Sequence, residues 1–285
     1  MTRAAAHWPT ALALVLVAGL VALAGRQHIG GFPVAGSFDL EIARGTISGM
    51  SGINKFGANP DVTTASDPED LWDGGTLYVN PTTARLHDVT STSDQDLITG
   101  TGARTIRITG LDSAWAIQTE DLTLTGSAAA TTASTYTRVY RAYVLTSGSG
   151  QTNAGDISIT AQTDSSISAQ ILTGEGQTLM AVYSVPASKA AYLVSSYVTM
   201  NRSGGGSGNM VASLCQRTGI DTATPSVRVR HRISFEEAGT SSQQEDFAPR
   251  KKFDGPCDVW WRIDSVAGSG TTKVYGGFNM ILVDD

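Results

Sequence analysis

Charge is scarce in this chain, and so are the side chains that most chemistry needs. Only 16% of the 285 residues are Asp, Glu, Lys or Arg, four are His and two are Cys. Asp and Glu outnumber Lys and Arg by 26 to 20, a net charge of −6, so there is no overall attraction to nucleic acid or anionic lipid. Cys215 and Cys257 have no zinc-type spacing and no nearby His. A disulfide in an exported protein and two buried thiols in a cytoplasmic one both remain open. After residue 50 no segment keeps apolar residues at helical spacing for three turns, which excludes a helical bundle. At most, Asp67 to Leu71 forms one helical turn, with Asp67 as cap and Pro68 at its first position.

Gly, Ser, Thr and alternating apolar residues are abundant instead. Thr105-Ile106-Arg107-Ile108-Thr109 places its isoleucines on one face, and Ile157, Ile159 and Ala161 repeat the pattern. Val227, Val229, His231 and Ile233 do the same. Tyr136–Leu145, Leu179–Val185 and Tyr192–Val198 have strand composition, and Phe278–Val283 is apolar enough to be covered on both faces. Turn signals separate these runs: Asp73-Gly74-Gly75, Gly100-Thr101-Gly102, Ser147–Gly150, and Ser203–Gly208, which reads as a long hairpin tip. The expected class is all-β, with two β-sandwich or jelly-roll-like domains at 51–175 and 176–285, divided near Gly174-Glu175-Gly176. A single continuous sandwich is the alternative. Residues 1–25 form an apolar leader, signal-like or membrane-spanning from Trp8 to Gly25, and 26–50 a linker. The leader implies export or membrane anchoring unless translation begins further in, as at Met50.

Catalytic patterns are sparse. His87 and His231 are the histidines outside the leader region, neither lies in a catalytic motif, and no Gly-x-Ser-x-Gly elbow occurs. The chain therefore reads as a non-enzyme without cofactor, a hydrolase being the weakest reading. The glycines at 100–102 precede an alternating strand rather than a helix, so a hairpin turn explains them better than a phosphate loop. The closely spaced carboxylates Asp61, Asp67, Glu69, Asp70 and Asp73 include candidates for a hard metal ion such as Ca²⁺ (Asp61, Asp67, Asp70 and Asp73), on a spacing that fits no EF-hand; turn and cap roles are the simpler reading. Strict alternation would place Arg228, Arg230 and Arg232 on one face, about 7 Å apart, able to dock on carboxylates of a neighbouring subunit or to pair with local acids. Trp260 and Trp261 point to opposite faces of a strand, so one is core, and the other is core or an interface anchor.

Several segments, in order, carry a resemblance. They are Asn54–Val62, Asp70-Leu71-Trp72-Asp73-Gly74-Gly75, Gly100–Asp112, Arg138–Tyr143, Gly176–Leu179 with Tyr183–Ala187, and the ending Ile281–Asp285. Together they resemble a family of virion structural proteins of tailed bacteriophages, common in phages of aquatic bacteria, over roughly residues 42–285. Ser188 departs from it, standing where the family's Val-Pro-Ala-Gly-Lys turn has Gly. The resemblance implies a β-rich particle component, a capsid decoration protein or a head-fibre or tail protein, with no catalytic residues. Its partners would be other virion proteins and further copies of itself, with a host-surface glycan or receptor as a further partner and no nucleic acid. The alternative is an exported or anchored bacterial β-sandwich that binds a surface glycan or protein.

Overall fold

A computed structural model describes residues 38–62, 68–203, 208–237, 240–267 and 271–285. The apolar leader, most of the linker, Asp67 and the middle of the Ser203–Gly208 run lie outside the described residues. Among the described residues the regular structure is antiparallel β apart from one short helix, α1 (Phe38–Ala43), as the alternation requires. Met1–Ser51 and Gly52–Asp285 are separate compact units, and the sheets belong to the second.

Two long-stranded sheets form a sandwich. The first runs β1 (Met50–Val62), β16 (Thr271–Asp284), β11 (Lys189–Ser203), β14 (Thr240–Asp254). The second runs β10 (Val182–Val185), β15 (Cys257–Ala267), β12 (Gly208–Thr218), β13 (Ser226–Glu237), with the two-residue β2 (Glu69–Asp70) added beside β15. Alternate side chains of both sheets meet in one core that includes Leu193, Leu214, Phe235, Phe253, Trp261, Phe278 and Leu282. The strands on either side of the Ser203–Gly208 run, β11 and β12, lie in different sheets.

Between β1 and β10 the chain builds two smaller sheets. One is β6 (Ala130–Thr131), β3 (His87–Ser91), β8 (Ile157–Ala161), β9 (Ile167–Ile171). The other is β5 (Ile117–Thr123), β4 (Ala103–Leu111), β7 (Arg138–Ser147). Their core is Ile106, Ile108, Leu124, Tyr136, Ile157 and Ile159, completed by Val182, Cys215 and Trp260 from the outer face of the second long sheet. That sheet is thus buried on both faces where the smaller sheets cover it. The change from small to long sheets falls at the turn made by Gly174 and Gly176, both at positive φ. β1 and β2, from before this turn, pair with strands of the C-terminal half.

The connection before β4 is ordered by one carboxylate rather than by a hairpin. Buried Asp96 accepts hydrogen bonds from Ser91 Oγ at 2.6 Å and from the amides of Ala103, Ala154 and Gly155 at 2.7–2.9 Å, tying three loops together. Of the expected Asp67–Leu71 turn, the described residues 68–71 are not helical, since Glu69 and Asp70 form β2 against Ile263 and Arg262.

Candidate binding groove

The outer face of the second long sheet is uncovered along one side of the small sheets, and a groove of about 590 Å³ opens there. Its floor carries alternate residues of two neighbouring strands, Arg217 of β12 and Trp260 and Arg262 of β15. One wall is the extended segment Leu77–Thr82 with Pro68 and Asp70, and the other is Ile220, Pro225 and Val227 around the β12–β13 connection.

Tyr78 fixes the first wall. Its ring is buried, and its hydroxyl lies 2.9 Å from the Val139 carbonyl and 2.7 Å from that of Ser168. Its amide donates to Asp70 Oδ2 at 2.7 Å. With Tyr78 turned inward, Leu77 and Val79 are 49% and 60% exposed, which makes the wall apolar. Asp70 also accepts from Trp260 Nε1 at 2.7 Å, and burial pushes its carboxyl up to about 6 against these two hydrogen bonds.

The cations are unequally engaged. Arg138 forms a buried two-pronged pair with Asp258 at 2.9 and 3.2 Å and lies over the Trp115 ring. Asp258 also accepts from Ser184 Oγ at 2.7 Å. Arg217 reaches Asp258 only at 3.8 Å and stacks over Trp260 at 5.2 Å; among the described residues its guanidinium makes no hydrogen bond. Arg262 is held by Asp264 at 2.7 Å. The groove therefore joins aliphatic walls to a guanidinium with unspent donors.

The arginine series does not form one stripe. Leu214 pairs with His231 and Cys215 with Val229, so Arg230 is an extra, bulged residue. The bulge reverses the faces on either side of it. His231, Ile233 and Phe235 turn to the sandwich core, while Val227 and Val229 face outward, 48% and 45% exposed. Arg232 lies with Ser213 and Asp264 on the outer face, and Arg230 bonds Gln216 and covers Phe253. Arg228 is exposed. The outward valines were missed because an extra residue in one strand leaves no mark in the apolar–polar pattern.

Trp260 and Trp261 do take opposite faces, but both are buried, one in each core, so neither offers an open interface anchor. The described members of the acidic cluster do not converge. Asp61 is exposed at the end of β1, Asp70 holds Trp260 and Tyr78, and Asp73 accepts from the Leu179 amide at 2.7 Å. Among the described residues, no group of three His, Cys, Asp or Glu side chains is placed to hold a metal ion. Cys215 and Cys257 are free thiols whose pKa values burial raises to about 11 and about 12. They belong to different cores on opposite faces of the sheet and cannot bond.

His87 Nε2 lies 2.8 Å from Ser168 Oγ and its Nδ1 lies 3.0 Å from the Arg85 carbonyl. This resembles a serine–base pair, but both side chains are fully buried. His231 sits edge-on to Phe247 and Trp261 with Nε2 3.0 Å from Glu245, and burial lowers its pKa.

No protein-family profile and no curated protein match the sequence. Among solved structures, the chain is similar at 9% identity to infectious bursal disease virus, Gt strain, over 82% of this chain and 72% of that one, with a TM-score of 0.23. The Gx strain structure gives 8% identity over the same shares and a TM-score of 0.24. Likeness of this degree carries no functional weight.

Proposed function

We propose that the chain is a structural component of a virus particle, acting through protein contact rather than catalysis. The observation that carries the reading is the strand order of the sandwich. Numbered along the chain, its eight main strands interleave as first, eighth, third, sixth in one sheet and second, seventh, fourth, fifth in the other. This is jelly-roll winding, an architecture of capsid and lectin domains that closes a large apolar core and leaves loops and inserted sheets free to make contacts. The fold alone does not choose among those uses. The ordered segments that resemble tailed-phage virion proteins favour the particle, either as capsid decoration or as part of a head fibre or tail. Self-association and contact with other virion proteins are part of the same reading.

Mass spectrometry of purified intact particles tests it. Peptides spanning 50–285 at a stoichiometry comparable to other shell or tail proteins are expected. Their absence from intact particles overturns the proposal. The mature N-terminus, read in the same experiment, distinguishes a particle protein from one exported after cleavage near Gly25.

A further inference from the structure

We propose that the groove over Trp260 binds an extended acidic peptide segment of a partner protein, with a carboxylate on Arg217 and aliphatic side chains against Leu77, Val79 and Val227. The proposal does not depend on the particle reading, because it concerns one surface of the isolated chain.

Three observations converge. First, Arg217 lies with its guanidinium over Trp260 and no hydrogen bond among the described residues. Its side chain is 31% exposed, and the nearest acid, Asp258, already accepts from Arg138 and Ser184. A planar donor set held in place with its donors unspent suits a carboxylate. Second, the walls present Leu77, Val79 and Val227 to solvent at 48–60% of their area, an apolar cost that a partner's aliphatic side chains would relieve. Third, Asn80 and Thr82 line the same groove. An extended peptide offers an N–H and a C=O at every residue to such polar side chains.

An acidic sugar would share the carboxylate but fits the rest less well. Trp260 is only 6% exposed and lies beneath Arg217, so no ring face is open for a pyranose to stack on, and the walls carry few polar groups for hydroxyls.

Titration of the full chain, observed through the Trp260 indole N–H resonance, tests the proposal. The probes are the capped peptide acetyl-Leu-Asp-Leu-Val-amide, its Asn counterpart and N-acetylneuraminic acid. The Asp peptide is expected to bind about tenfold more tightly than the Asn peptide, the increment of a charge-assisted contact. Arg217→Gln should abolish that difference while leaving the weaker Asn-peptide binding intact. Val227→Asp, at an exposed position whose loss leaves both cores whole, should abolish binding of the Asp peptide with the unfolding midpoint unchanged. Equal affinity for the two peptides, no shift at millimolar peptide, or an undiminished preference in Arg217→Gln overturns the proposal. So does binding of the sugar acid without the peptide, which would make the groove a glycan site.

Discussion

Single buried carboxyls set how this protein responds to pH. Asp73 is 6% exposed; its Oδ2 accepts from Leu179 while its Oδ1 has no partner. Burial, with Glu175 and Asp156 nearby, pushes its pKa from 3.8 up to about 8. Between those two values the folded state holds a proton that the unfolded chain has lost. Stability therefore falls as pH rises through that range and levels off above about 8. Asp70, raised to about 6, has the same sign over a narrower window. His87 and His231, lowered by burial, have the opposite sign, their stability contribution growing as pH rises toward 6.5. Between pH 6.5 and 8 Asp73 lowers stability as pH rises, while buried Lys55, its pKa lowered well below 10.5 by burial, raises it. Relative to Asp73→Asn, the urea midpoint of the natural chain should therefore fall between pH 6.5 and 8. Asp73→Asn keeps an acceptor for the Leu179 amide and removes this downward contribution. An unchanged slope in that variant would remove Asp73 as the cause.

At the level of elements, strands whose alternation is uninterrupted were legible in the sequence. β4 and β8 bury Ile106, Ile108, Ile157 and Ile159 as their period-two pattern requires, and Phe278–Val283 is covered on both faces over most of its length. β13 was legible as a strand but not in its facing, because the bulge at Arg230 depends on its pairing with β12. The groove was invisible for the same reason, since Val227, one of the three exposed aliphatic side chains on its walls, is a valine that strict alternation assigns to the core. The place of β1 was illegible too. Its neighbour β16 lies more than 200 residues further along the chain, and no local signal specifies that pairing. β1 is nonetheless integral: Val62 enters the sandwich core, and buried Lys55 donates to the Tyr140 carbonyl in β7. Removing it would expose the full edge of β16, a template for aggregation. A chain beginning at Met50 keeps all of β1 and should fold to the same far-ultraviolet spectrum and a cooperative melt. One beginning at Thr63 should be insoluble or lack a cooperative transition. A soluble, cooperatively folded 63–285 fragment would show that β1 is an accessory strand.

For the molecule as a whole, the decisive feature is a sheet shared by two cores. β10, β12 and β15 give Tyr183, Leu214 and Trp261 to the sandwich interior, and Val182, Cys215 and Trp260 to the core of the smaller sheets. The Arg138–Asp258 pair bolts the two parts together from β7 to β15, its side chains 7% and 3% exposed. Breaking such a pair from one side typically costs about 3–5 kcal/mol, because the remaining charge stays buried. Chains of this length often unfold domain by domain. Here, loss of the sandwich would strip the floor from the second core, and loss of the small sheets would expose Trp260 and leave Asp258 without its two-pronged partner. The two halves should therefore unfold together. Scanning calorimetry of residues 50–285 is expected to give one transition whose calorimetric and van't Hoff enthalpies agree. Asp258→Ala should lower that transition by several degrees or split it, since it cuts a buried two-pronged ion pair between the halves. Two resolved transitions in the unmodified chain would mean that the smaller sheets hold their own core without the shared floor, and Trp260 would then be a docking contact rather than a common structural element.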